Sequence, residues 1–216
     1  MATRTNKKLS VIEKQDILLD TCIFHYLADK QLRKQVQAHL RVLKSKGNRL
    51  AVSEVTHFEI YRRRLDKTET SFFGRVLSAK GLVQLEIHKD FIKNATILCR
   101  HSFPIAIKQN RVFSNDSPTK DVMADMLLGG TVIDNAKALF MTANRKHFQE
   151  PFWKIVGECY LTRKKEEGWE GISVFLLKFD YLAFNKLLTP ATAVPESSST
   201  QPGSTTPDSP PVGPEQ

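Results

Sequence analysis

The chain has 216 residues, 41% hydrophobic and 25% charged, a balance that suits one sizeable globular core. Its 32 Lys and Arg against 23 Asp and Glu give a formal charge of +9, which favours polyanions, nucleic acid first, because phosphate neutralisation dominates non-specific binding. No stretch reaches the roughly 18 uncharged apolar residues of a membrane helix, Met1 to Ser10 is polar with no apolar signal core behind it, and the three cysteines are odd in number and widely spaced, so a soluble, cytoplasmic chain without disulfides is expected.

Residues 1–15 form a basic polar arm. Asp16-Ile-Leu-Leu-Asp20 is a short apolar run that stops on an acid, the pattern of a buried strand with a carboxylate at its C-terminal end. Ile23, Leu27, Leu32, Val36, Leu40 and Leu43 then recur among Lys and Arg, which predicts one amphipathic helix over 23–46, closed by Gly47. Arg49-Leu-Ala-Val-Ser53 repeats the brief strand ending on a polar residue. A helical stretch from Glu54 to about Asp66 follows, carrying Thr56, Glu59 and the run Arg62-Arg63-Arg64.

Leu82-Val-Gln-Leu85 predicts a further strand and residues 90–101 a helix, while Pro104 and Asn115-Asp-Ser-Pro118 mark turns. Ser117-Pro118 is an N-cap and first-turn pair for a helix from Thr119 to about Asp134, which places Asp121 and Asp125 one turn apart on one face. Ala138 to Thr142 is the next strand, residues 149–168 are expected as an added helix, and a last strand at 172–179 precedes a short helix to Leu188. From Thr189 onward the chain holds seven of its ten prolines and no lysine, arginine or aromatic residue, the composition of a disordered tail. Without that tail, residues 1–188 carry 32 basic against 20 acidic residues, a formal +12.

Strands alternating with helices at this spacing imply an α/β fold, a three-layer α/β/α sandwich on a mostly parallel sheet over residues 16–188. Ligands in such folds bind at the carboxyl ends of the strands, near a switch in strand order. Asp20, Ser53 and Thr142 all end strands and are expected to converge.

Four segments resemble the PIN-domain nucleases, the family that includes the VapC toxins. Leu18-Leu-Asp-Thr21 is similar to the opening strand motif, whose aspartate binds metal; Val52-Ser-Glu-Val-Thr-His-Phe-Glu-Ile60 is similar to the second, with Ser53, Thr56 and the helical Glu59. Asp125-Met-Leu-Leu-Gly-Gly-Thr-Val-Ile133 resembles the helix motif, and Met141-Thr-Ala-Asn-Arg-Lys-His-Phe148 the closing one. The resemblance implies a metal-dependent endoribonuclease with magnesium or manganese held by Asp20, Glu59 and Asp125. Ser53, Asp121, Thr142 and Asn144 would support that site, and Arg62, Arg63 and Arg64 would hold the RNA backbone. It also implies RNA, an inhibitory antitoxin-like protein and a second copy of the chain as partners to look for.

Two departures stand out: Cys22 replaces a commonly polar residue, and the fourth acidic position is Asn144, which allows a non-catalytic RNA-binding or scaffold protein as the alternative. Hard divalent cations prefer oxygen ligands, and carboxylates on separate elements can close around one. Each residue also has an ordinary role. Asp20 can cap a helix, Glu59 and Asp125 can be solvated helix positions, the arginines a wet face, and His57 and His147 surface residues. Cys22-x-x-His25 and Cys99-x-His101 lack paired-knuckle spacing for zinc. A haloacid-dehalogenase phosphatase would need an aspartate where Cys22 stands, and a serine hydrolase lacks its Gly-x-Ser-x-Gly elbow.

Overall fold

A computed structural model describes residues 12–108 and 118–188, with side chains described for 12–101 and 123–188. In chain order the elements are β1 (Asp16–Leu19), α1 (Thr21–Ala28), α2 (Arg33–Ser45), β2 (Arg49–Val52), α3 (Glu54–Tyr61), α4 (Lys67–Leu77) and β3 (Leu82–Gln84). They continue with α5 (Phe91–Lys108), α6 (Pro118–Asp134), β4 (Leu139–Thr142), β5 (Trp153–Lys165), β6 (Gly168–Phe179) and α7 (Tyr181–Leu188).

The strands form one sheet in the order β3-β2-β1-β4-β6-β5. The first four strands pair in parallel, and β6 runs antiparallel to both β4 and β5. This is the expected α/β architecture with a largely parallel sheet. Progress from β1 to β3 runs outward on one side, and β4 then returns to the other side of β1. The switch in strand order therefore lies between β1 and β4, where open α/β sheets open a crevice at the strand ends.

Each face of the sheet carries its own apolar layer. Ile17, Leu19, Leu139, Met141, Cys159 and Leu161 face Ile23, Phe24, Val36, Leu40, Leu43 and Phe73 of α1, α2 and α4. Leu18, Phe140, Leu177 and Phe179 face Leu98, Met126, Leu128 and Val132 of α5 and α6, with Phe184 of α7. Full burial of each such side chain stabilises the fold by about 1.5–3 kcal/mol, which is why strands of only four residues hold their register.

Four expectations are corrected. The helix over 23–46 is two helices, because the Asp29 carboxylate accepts the backbone N–H of Gln31 at 2.7 Å and of Leu32 at 3.3 Å and turns the chain there. The helix after Ser53 ends at Tyr61, so Arg62–Arg64 lie beyond it, and α4 is a separate helix opened by a reciprocal capping box between Asp66 and Glu69. The added helix at 149–168 is strand instead: β5 and β6 make a long hairpin, with a bulge between Ile155 and Gly157. Pro104 lies inside α5 rather than at a turn, and Ser117 lies outside the described residues.

Candidate functional site

Asp20 follows β1 directly and is 3% exposed. It occupies the N-cap position of α1 without a side-chain cap bond, which removes the helix-capping explanation for it. Its Oδ2 instead accepts from the Thr142 hydroxyl at 2.5 Å and from the Cys22 thiol at 3.1 Å. Thr142 ends β4, so this bond spans the crevice between the two strands at the switch point.

Burial and the nearby Asp125 carboxylate hold the Asp20 carboxyl up at about 6, against the partly offsetting bonds from Thr142 and Cys22. Burial and the Asp20 charge push the Cys22 thiol well above its ordinary value, so it stays protonated and donates. The Ala143 N–H donates to its sulfur at 3.4 Å, which fixes the thiol between β1 and β4.

Glu59 projects from α3 and is half-buried. The Thr21 hydroxyl donates to its Oε2 at 2.5 Å, and the Arg62 guanidinium lies 4.0 Å from Oε1. Burial raises its carboxyl, Asp20 raises it further, and the Thr21 bond with Arg62 and Arg63 pulls it back. Asp20 thus interacts with both other acids, and the three carboxylates belong to one electrostatic cluster.

Asp125 enters from α6 and is buried. Its Oδ2 contacts His147 Nδ1, and the Asn144 amide donates to the same oxygen at 2.7 Å while lying 2.9 Å from His147 Nδ1. Asn144 N–H donates to Thr142 Oγ1 at 2.8 Å, which links this group back to Asp20. His147 is a buried partner of Asp125, where sequence reasoning places a surface residue. No local sequence pattern marks it, because it reaches Asp125, 22 residues earlier, through the turn Arg145–His147.

The remaining candidates divide. Ser53 is buried and caps α3, accepting from Val55 N–H at 3.0 Å. Thr56 is buried with its hydroxyl unpartnered by protein. Arg62, Arg63 and Arg64 are exposed, and the charges of Arg62 and Arg63 act on Glu59. His57 is partly exposed. The Asp121 side chain lies outside the described residues. The small residues after Asp125 do not pack behind the carboxylates: a β-carbon on Gly129 would meet Leu98 at 2.8 Å, and one on Gly130 the Phe91 carbonyl at 3.0 Å, so they seat α6 against α5.

Among the described residues, no group of three or more His, Cys, Asp and Glu side chains is arranged to hold a metal ion. In chemistry, however, the donor set suits a hard divalent cation: Asp20 and Asp125 are buried oxygen donors whose charges repel, and Glu59 adds a third. Among the described residues, no helix is long and apolar enough to cross a membrane.

No family model and no curated protein matches the chain. Among solved structures it is similar to the crystal structure of VapBC2 from Rickettsia felis bound to a DNA fragment from its promoter. The identity is 18%, the match covers 62% of this chain and 90% of that one, and the TM-score is 0.41.

Proposed function

We propose that the chain is a divalent-metal-dependent endoribonuclease whose ion, magnesium or manganese, is held by Asp20, Glu59 and Asp125. One observation carries the reading: Asp20, buried at the switch point of the sheet, lies near enough to the buried Asp125 for that charge to raise its carboxyl, and Asp20 in turn raises the carboxyl of Glu59. Burying like charges together costs stability unless a cation relieves it, so such a cluster is a functional signal. A bound divalent ion would supply an activated water and neutralise charge on the scissile phosphate.

The rest is the work of the chain. Thr142 and Thr21 orient the carboxylates of Asp20 and Glu59, and Asn144 with His147 fixes that of Asp125. Cys22 keeps a proton on the Asp20 flank and closes the crevice between β1 and β4. Arg62–Arg64 stand where an RNA backbone would pass Glu59, and guanidinium groups suit phosphate geometry. An antitoxin-like inhibitor and a homodimer belong to the same proposal through the family resemblance alone.

The non-catalytic alternative keeps one observation in its favour, the lack of a preformed three-ligand group among the described residues, together with Asn144 in place of an acid. Cleavage of a generic single-stranded RNA with magnesium, compared with the same reaction in chelator, separates the two. Magnesium-dependent products that disappear in Asp125→Asn support the nuclease; RNA binding without products supports the alternative.

A further inference from the structure

The β5–β6 hairpin is much longer than the strands it joins. Thr142, the last residue of β4, pairs with Phe175, and β6 extends from there back to Gly168. Because β6 is antiparallel to β4, that extension projects beyond the carboxyl ends of the parallel strands, on the side where the carboxylates lie. From Phe175 to Trp169 it runs six residues, roughly 20 Å at strand rise.

The two faces of this overhang differ. Cys159, Leu161, Val174 and Leu176 point to the α1–α2 layer and are buried. The opposite face carries Phe175, Tyr160 and Trp169, assigned by the cross-strand pairs Glu158–Phe175, Tyr160–Ser173 and Lys164–Trp169. No described helix covers it at its far end: Tyr160 is 40% exposed and Trp169 69%. Two large aromatic rings in water on a strand face are an anomaly that core packing does not explain.

Gly171 gives the face its shape. A β-carbon there would sit 1.4 Å from the Tyr160 hydroxyl, so the phenol end of the tyrosine reaches across from β5 and lies over the glycine. The next residue of that face is Trp169. Nearer the site, the Arg145 guanidinium lies over the Phe175 ring, 5.7 Å from its centroid, and Lys164 flanks Trp169 as its cross-strand partner. Glu170 projects from the other face, bound to Arg163 and Lys165, and Glu166 and Glu167 occupy the turn; Glu158, beside Phe175, is the acid on the aromatic face.

Aromatic planes interleaved with cations, on a strand face continuous with a phosphodiester site, suit a polyanion with stackable planar groups. We infer that this face of the hairpin is a base-stacking platform for single-stranded RNA. Trp169 and Tyr160 stack successive bases, and Arg145 and Lys164 take the adjoining phosphates. The strand thereby runs from the hairpin toward Thr142 and the carboxylates, with space for on the order of two to three bases. The inference rests on the nuclease reading for the choice of RNA, and its test needs no turnover.

The test uses the full chain in chelator with a fluorescein-labelled oligouridylate of about 12 nucleotides, followed by anisotropy. Trp169→Ala is expected to weaken binding roughly tenfold or more, Tyr160→Ala comparably, and Trp169→Phe to restore most of the affinity. Of the two tryptophans, Trp153 is 2% exposed, so quenching of wild-type emission by the RNA reports Trp169 directly. Trp169→Ala with an unchanged melting temperature and affinity within twofold of wild type overturns the platform. So does a loss of wild-type self-association in Trp169→Ala with RNA affinity intact, which assigns the face to protein contact. The outcomes stay separable from the nuclease reading. Weakened binding in Trp169→Ala without magnesium-dependent cleavage by the wild type keeps the platform and rejects the nuclease; cleavage with unchanged binding does the reverse.

Discussion

Asp20 departs from what a strand-end acid with a capping role would show. It holds a cap position and makes no cap bond, and it is buried where its charge is opposed by Asp125. Its folded carboxyl titrates near 6 and its unfolded one near 3.8, so the native state binds the extra proton between those values. Stability in chelator therefore falls as pH rises from about 4 to 6, and the full penalty, on the order of 3 kcal/mol, is present above that window. Asp20→Asn should accordingly melt higher than wild type at pH 8 in chelator, with the gap closing toward pH 4, and should lose RNA cleavage. Thermal melts at the two pH values check this; equal gaps at both would contradict it. Ser53 gives the contrasting case. Its hydroxyl is committed to the α3 cap, so Ser53→Ala should lower stability by about 1 kcal/mol, measured by denaturant melts.

At the scale of elements, the polar strand ends Asp20, Ser53 and Thr142 are legible in the sequence because a short apolar run stopping on a polar residue has few other readings. β1, β2 and β4 lie where that pattern puts them. The start of α4 is legible in principle too, since Asp66 and Glu69 have capping-box spacing, although the continuous helical run from Glu54 masks the break before it. The hairpin is not legible for a physical reason: the bulge between Ile155 and Gly157 shifts the alternation of β5 by one. Buried Trp153, Gly157 and Leu161 then recur every four residues, which mimics helical spacing. The Asp125–Asn144–His147 cluster cannot be read either, since it joins residues about 20 apart through a tertiary turn.

The same hairpin carries an edge-strand risk that the helix layer manages. The Gln35 amide donates to the Thr162 carbonyl at 2.6 Å and accepts its N–H at 3.0 Å, and Gln31 does the same for Lys164 at 3.3 and 2.8 Å. Side-chain amides thus occupy the outer edge of β5 as a neighbouring strand would. Gln35→Ala should destabilise the fold by about 1 kcal/mol and increase self-association, read by melting and sedimentation.

For the whole molecule, the charge balance and the site point the same way. Residues 1–188 carry a formal +12, and Arg62–Arg64 are exposed just beyond α3, so on the proposed function RNA affinity should fall steeply with salt. Replacing all three arginines by alanine should flatten the log–log salt slope by roughly one for each phosphate no longer held. Residues 189–216 carry no lysine, arginine or aromatic side chain, so deleting them should leave both melting temperature and RNA affinity unchanged.

The central claim is that Asp20, Glu59 and Asp125 hold a catalytic divalent ion. Its most direct test is a time course of single-stranded RNA cleavage by the full chain in magnesium, in chelator, and after magnesium is restored, run beside Asp125→Asn. The expected result is products with magnesium, none in chelator, recovery on restoration, and none from Asp125→Asn despite retained RNA binding. Cleavage that persists in chelator, or that Asp125→Asn performs at the wild-type rate, would contradict it.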